Sequence, residues 1–252
     1  MSNNQLTTLI GAAFPILSLA IWGLAYKFAG KGAPSIGDDL RELATESLHF
    51  LKTQWFFLAV CTGGSAVSAC QHSGSFEIPP TYVIVSSFFF AIVPILKLFY
   101  VSYLAIPRNP ALVASIGVMT MVFYMIGEYI QNMLILLGFV LLIFPGLYVM
   151  ARTSLFLPIY AVEGHRPLQA LERSWAITNG KFWQVCLYLG PVVFVVLMAH
   201  WLPFAASFMQ PNIAARPFVA VFSAVCGMSF ILLDIMLAGL MYKLYLRFNE
   251  KV

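Results

Sequence analysis

The stretch "MLILLGFVLLIFPGLYVMA", Met133 to Ala151, contains no charged side chain. A helix needs about 18 or more apolar residues to cross the hydrocarbon core of a bilayer, because each residue adds about 1.5 Å. The whole chain of 252 residues is 61% hydrophobic and only 10% charged, against about 25% charged in an ordinary soluble domain. A soluble globule with this surface would aggregate. The sequence therefore predicts an all-α integral membrane protein.

The hydropathy pattern predicts a polytopic protein of about seven transmembrane helices in one membrane domain, residues 1–252. The N-terminal stretch lacks the positive region of a signal peptide, so its apolar segment 6–26 is expected to remain as a span. "FPGLY" predicts a kink at Pro145–Gly146 within the fifth span. The predicted spans are Leu6–Tyr26, Gln54–Cys70, Tyr82–Ile106, Ala111–Ile130, Met133–Tyr160, Phe182–Phe204 and Phe218–Leu244.

The basic residues predict the orientation of these spans. With seven alternating spans, 12 of the 14 Lys and Arg residues fall on one side, while Arg216 falls on the other and Lys97 lies within a span. Positive charge collects on the cytoplasmic side of a membrane. We therefore expect a bacterial inner-membrane protein with its N-terminus outside and its C-terminus in the cytoplasm.

Two charged segments on the cytoplasmic side predict interfacial amphipathic helices, at residues 35–52 and 165–181. In the first, one face is formed by Leu40, Leu43, Ala44, Ser47 and Leu51, with charged residues opposite. Such helices either anchor the protein in the interface or form a gate or docking surface.

The second helix is expected to begin at Pro167, which suits a first turn, and to stop at Asn179–Gly180. Its predicted apolar arc contains Leu168, Leu171, Trp175 and Thr178. Basic and aromatic residues at this depth predict contact with lipid headgroups. The candidate lipid contacts are Arg173, Trp175, Lys181 and Trp183.

The region Leu136–Trp183 resembles the signature region of YciC-like bacterial inner-membrane proteins and of the membrane domain of glycerophosphoryl diester phosphodiesterases. The matching pieces are Pro145–Gly146, Arg152, residues 158–163, Ala170, Arg173–Ser174–Trp175 and residues 180–183. The resemblance would extend over about Ser35 to Lys251, which leaves 6–26 as an additional span. It implies a loose link to envelope and lipid homeostasis or to transport. The fused phosphodiesterase activity belongs to a separate barrel, so no catalytic residue is implied.

Chemical motifs do not predict an enzyme. The four histidines are scattered, and no HExxH, Walker, GxGxxG or GxSxG pattern occurs, so neither a metal nor a cofactor is expected. Ser65 in "CTGGSAVSAC" invites a nucleophile interpretation, but small residues in such a stripe usually allow close helix packing. The four cysteines form no CxxC pair and are expected to be free thiols. The basic residues form no block with interleaved aromatics, which argues against nucleic-acid binding.

The charges inside the predicted spans are the informative candidates for a site. Lys97, Arg152 and Asp234 should lie at similar depth in the inner-leaflet half, whereas Glu128 is expected at an outer helix end. A charge in hydrocarbon is costly and therefore faces protein or water. Two cations against one carboxylate could accept an anionic headgroup, and the alternative is an ion pair that only holds spans together.

These patterns predict a protein without enzymatic activity that handles or transports a lipid or another amphipathic, anionic molecule. Its expected partners are membrane lipids. The alternative is a structural or accessory subunit of a larger membrane complex. A membrane-embedded hydrolase is the third possibility, and no motif supports it.

Overall fold

The computed structural model describes residues 24, 27, 36–53, 80–107, 110, 116–141, 143–208 and 216–249. This part of the chain is all-helical and contains no strand. The predicted spans Leu6–Tyr26 and Gln54–Cys70 lie almost wholly outside it. The helices are α1 Ile36–Thr53, α2 Pro80–Ala105, α3 Val118–Leu141, α4 Ile143–Thr153, α5 Phe156–Glu163, α6 Pro167–Ile177, α7 Phe182–Phe208 and α8 Arg216–Asn249.

The turn between the two middle predicted spans lies elsewhere than expected. The prediction placed a break at residues 131–132, whereas these residues lie inside the continuous helix α3 and the chain turns between α3 and α4. The side-chain amide of Gln131 donates to the carbonyl oxygen of Thr153 at 3.0 Å. A polar side chain that is satisfied by a neighbouring helix therefore looked like a loop residue in the sequence.

The predicted kink at Pro145–Gly146 is likewise wrong, because α4 begins there. Pro145 lies in the first turn of α4, where its missing N–H is not needed. A Cβ atom on Gly146 would lie 2.5 Å from the ring of Phe139, and one on Gly138 would lie 2.8 Å from the Cα atom of Gly146. These two glycines therefore allow α3 and α4 to pack closely as a hairpin.

The segment between α5 and α7 follows its local sequence signals. Gly164 adopts a left-handed conformation, φ 67°, and ends α5. Pro167 is the first residue of α6, and the Arg166 backbone N–H donates to the side-chain oxygen of Gln169 at 3.3 Å. Gly180, φ 70°, follows the end of α6. The predicted start and stop of this helix are confirmed.

The core forms around α8, which packs against α1, α2, α5 and α7. Its largest fully buried side chains include Tyr100, Tyr124, Tyr188 and Phe156. On α1, the predicted apolar face is confirmed in that Leu43, Ser47 and Leu51 are buried, whereas the charged face is largely exposed. The buried face of α1 packs against α8.

One helix of the described part, α3, is both long enough and apolar enough to cross a membrane. Large apolar side chains are exposed along its whole length, among them Val118, Phe123, Ile126, Leu137 and Val140. Two shorter apolar segments, Ile92–Ala105 and Phe182–Val196, belong to α2 and α7.

Candidate functional site

Three charged side chains from three helices meet in the interior. Lys97 of α2 places its Nζ atom 2.5 Å from Glu128 Oε1 of α3 and 3.3 Å from Asp234 Oδ2 of α8. Their side chains are only 17%, 13% and 15% exposed. We call Lys97, Glu128 and Asp234 the charged triad. The structure therefore brings together two of the three charges singled out in the sequence.

Glu128 is the member that the sequence misplaced. It was expected at an outer helix end, but it lies ten residues into α3 and faces the bundle. Its second oxygen, Oε2, is buried and has no described partner with good hydrogen-bond geometry, although the Tyr124 hydroxyl group lies close to the Glu128 carboxylate. A buried carboxylate oxygen without a donor is costly, which makes this atom the least satisfied part of the triad.

The triad lines a cavity of about 230 Å³ between α2, α3, α4, α5, α7 and α8. Two side-chain amides, Gln131 and Asn132, and the hydroxyl groups of Tyr124 and Ser154 belong to the same wall. The rest of the wall is largely apolar. It consists of Ile135, Leu147, Met150, Ala151, Leu157, Val185, Cys186, Leu189, Gly190, Val193, Val196, Leu237, Ala238 and Met241. A charged end beside apolar walls suits an amphipathic molecule.

Arg152, the third predicted member of the cluster, lies apart from the triad. It is buried, and its guanidinium group lies 4.9 Å from the ring centre of Trp175 and 5.6 Å from that of Tyr148. Arg152 forms no ion pair with any described carboxylate, and its Nε atom has no hydrogen-bond partner there. Two aromatic faces therefore stabilise this cation instead of an acid.

The backbone of Arg152 has a structural role beside this aromatic contact. Helix α4 ends at Thr153 and α5 begins at Phe156, so backbone groups at this junction have no hydrogen-bond partner within a helix. The Ser174 hydroxyl donates to the Arg152 carbonyl oxygen at 2.8 Å and accepts from the Leu155 N–H at 3.1 Å. Thr178 Oγ1 lies 3.2 Å from the same carbonyl oxygen. Ser174 on the buried face of α6 and Thr178 just after this helix therefore form hydrogen bonds with the backbone at the junction of α4 and α5.

The predicted lipid contacts on and after α6 lie around this packed face. Arg173 is 45% exposed and lies 3.7 Å from Glu163, while Trp175 is 39% exposed. Lys181 lies over the ring of Phe248 at 4.2 Å. Trp183 packs against Phe182 with ring centres 5.0 Å apart.

The predicted apolar arc of α6 is only partly right. Leu171 and Thr178 are buried together with Ala170 and Ser174, whereas Leu168 is 66% exposed. The face that packs on the protein is therefore rotated from the predicted one, and Ser174 lies on it because its hydroxyl group bonds to the Arg152 carbonyl oxygen.

A second charged group joins the first described helix to the last. Asp39 of α1 accepts a hydrogen bond from the Tyr188 hydroxyl and another from Arg247 Nη2 at 2.7 Å. Lys243 Nζ lies 3.7 Å from Asp39 and 2.5 Å from Glu42. We call these contacts the α1–α8 clasp. Beside it, partial burial and the neighbouring Glu42 raise the pKa of Glu46.

Sequence reasoning missed the clasp and Glu128 for different reasons. Asp39 has its partners 149 and 208 residues away along the chain. No local pattern reveals such a pair. Glu128 was misplaced because the turn was misplaced. Its separation of 31 residues from Lys97 along the chain does not by itself indicate that the two side chains form an ion pair.

Comparisons with protein-family models, with curated proteins and with solved structures find no match for this chain.

Proposed function

We propose that the chain is a polytopic protein of the bacterial inner membrane that binds and moves a lipid or another amphipathic molecule without catalysing a reaction. The observation that carries this proposal is the cavity of about 230 Å³, in which largely apolar walls meet the charged triad. Apolar walls accept a hydrocarbon body, and a few fixed polar groups orient a headgroup. The resemblance of Leu136–Trp183 to membrane proteins linked with lipid homeostasis supports the same class of function.

The proposed arrangement has about seven spans, with the N-terminus outside and the C-terminus in the cytoplasm. The apolar surface of α3 and the bias of 12 basic residues toward one side support it. Moving the middle turn from 131–132 to the α3–α4 junction leaves the sides of the other connections unchanged. Helices α1 and α6 would then lie at the cytoplasmic interface.

Cysteine labelling tests this arrangement directly. In a variant whose native cysteines are replaced by Ser, a Cys introduced at Gln169, an exposed α6 position, should react with an impermeant maleimide only after the membrane is opened. A Cys introduced at residue 75 should react in intact spheroplasts. External labelling at Gln169 contradicts the proposed topology.

The lipid contacts are part of the same proposal. Trp175 should be quenched by lipid labels at shallow depth, and Arg173→Ala should weaken binding to anionic vesicles by about 1 kcal/mol, the usual effect of one basic residue near such a surface. Glu172→Gln, on the exposed surface of the same helix, is the matched control and should not weaken binding. Deep quenching, or binding that ignores lipid charge, contradicts an interfacial α6.

A structural or accessory subunit of a larger membrane complex is the second candidate, and the exposed apolar surface of α3 favours it. Either lipid or a helix of a partner protein would cover that surface. Native mass spectrometry of gently solubilised membranes separates the two: bound lipid or another amphiphile supports the first proposal, and a stoichiometric partner chain supports the second.

A further inference from the structure

The charge balance of the triad differs from the one that the sequence suggested. Two cations and one carboxylate were expected, because Arg152 was counted with Lys97 and Asp234. The structure instead places one ammonium group, Lys97, against two carboxylates at 2.5 and 3.3 Å. With all three groups ionised, the cavity wall carries one net negative charge.

The two carboxylates of the triad favour the same ligand charge. Glu128 and Asp234 both belong to the wall of the cavity. A ligand that brings an N–H donor can bond to a carboxylate oxygen, whereas a phosphate or carboxylate group brings only further acceptors and a charge of the same sign.

The rest of the wall defines the other end of the ligand. Apolar side chains of α4 and α7, such as Leu147, Met150, Leu189 and Val193, line the same cavity. A small inorganic cation would leave this apolar surface unused. An organic cation with an apolar body matches both ends.

Resting on the proposed function, we propose that the cavity binds amphipathic amines: the protonated amino group donates to Glu128 and Asp234, and the apolar body lies between α4 and α7. The amine compensates the negative charge that Lys97 leaves unbalanced. The same chemistry is offered by a free alkylamine and by the ethanolamine headgroup of a lipid. This assignment reverses the anionic cargo that the sequence favoured.

Calorimetric titration of the full chain in phosphatidylcholine nanodiscs tests the assignment, with empty nanodiscs as the blank. The probes are hexylamine, hexanol and hexanoate, which share one alkyl chain and differ in charge at neutral pH. Wild-type protein should bind hexylamine at least about tenfold more tightly than hexanol. Hexanoate should bind more weakly than hexanol.

Two isosteric variants test whether the carboxylates of the triad cause the preference for the amine. Glu128→Gln and Asp234→Asn each leave one cation against one carboxylate, so hexylamine should bind within about threefold of hexanol in both. Hexanol affinity should change little, which shows that the cavity is intact. Glu172→Gln removes the same charge from the exposed surface of α6 and should keep the full amine preference.

Nanodiscs that contain phosphatidylethanolamine distinguish the two sources of the amine. If the lipid headgroup occupies the site, hexylamine should bind more weakly in these discs than in phosphatidylcholine discs. If a free amine is the ligand, the two affinities should agree. Both results support an amine site and identify its source.

Tighter binding of hexanoate than of hexylamine overturns the assignment, as does an amine preference that survives in both Glu128→Gln and Asp234→Asn. Either result leaves an amphipathic cargo of another charge and so leaves the proposed function standing. Absence of binding by all three probes removes the cavity as a ligand site, and the proposed function falls with it.

Discussion

Glu128 Oε1 lies 2.5 Å from Lys97 Nζ, so that the ammonium group of α2 has an acidic partner on α3 as well as Asp234 on α8. This contact changes what each member of the triad contributes. Lys97 is the one cation shared by two carboxylates, whereas either carboxylate can be removed and still leave a balanced pair. Loss of Lys97 should therefore lower the free energy of unfolding more than loss of either carboxylate.

Lys97→Met should be the most damaging single change in the triad. It leaves two buried carboxylates without a cation, and removing one partner of a buried ion pair typically costs about 3–5 kcal/mol. Asp234→Asn keeps the Lys97–Glu128 pair and should cost much less, about 1 kcal/mol, which is the central value for single substitutions. Unfolding in mixed micelles measures both free energies.

The triple change Lys97→Met, Glu128→Gln and Asp234→Asn is the control for this prediction. It removes every charge together and should recover most of the stability lost in Lys97→Met. Asp234→Asn that destabilises the protein as much as Lys97→Met would show that Glu128 does not act as the second partner.

The α1–α8 clasp should contribute to stability through Asp39. Asp39→Asn removes the charge that accepts hydrogen bonds from Tyr188 and Arg247, and hydrogen bonds to charged groups contribute about 1.5–3 kcal/mol each. We expect a loss of about 2 kcal/mol in the free energy of unfolding. Glu42→Gln is the matched control, because Glu42 is 58% exposed and exposed ion pairs contribute at most about 1 kcal/mol.

A double-mutant cycle of Asp39→Asn with Arg247→Gln isolates this contact. The two changes should be non-additive by about 1–2 kcal/mol, as expected for residues in one charged network. Additive losses would mean that Arg247 acts elsewhere and that the 2.7 Å contact with Asp39 contributes nothing of its own.

Ser174→Ala should weaken the junction between α4 and α5. It leaves the buried Leu155 N–H without its partner and the Arg152 carbonyl oxygen with Thr178 alone, and an unsatisfied buried group costs about 1–3 kcal/mol. Thermal unfolding in detergent should show the loss. Ser174→Thr keeps the hydroxyl group and is expected to lose less than Ser174→Ala. Equal losses in the two variants would indicate packing rather than hydrogen bonding.

Gly146→Ala should loosen the α3–α4 hairpin. The added Cβ atom would lie 2.5 Å from the Phe139 ring and 2.8 Å from its backbone nitrogen, and overpacking of this kind costs about 1–3 kcal/mol. Gly37→Ala in α1 is the control, because no atom lies within 4 Å of the added Cβ. Unfolding should show little change for Gly37→Ala, because this residue lies in the first turn of α1. A neutral Gly146→Ala would mean that α3 and α4 do not pack this closely.

The sequence predicted those helices whose signals are local. Hydropathy located α2, α7 and α8 to within a few residues, and the period of 3.6 located the buried face of α1. Pro167 and Gly180 marked the limits of α6. Each of these signals depends on residues that are neighbours along the chain.

The errors arose where polar side chains are satisfied by tertiary contacts. Glu128, Gln131 and Asn132 interrupt an apolar run, and polar residues in such a place usually mark a loop. In the structure, Glu128 pairs with Lys97 and Gln131 bonds to Thr153, so the helix continues through them. The charge balance of the cavity depends on this one shift of the turn, because it brings Glu128 inward.

The α1–α8 clasp also has a consequence for how the chain is made. Asp39 leaves the ribosome 208 residues before Arg247, a delay of about 10–40 s at 5–20 residues per second. Tyr188 is the first of the clasp partners of Asp39 to be made, 149 residues after Asp39, so the carboxylate has none of them before that point. The attachment of α1 to α8 can therefore form only after Arg247 has been synthesised.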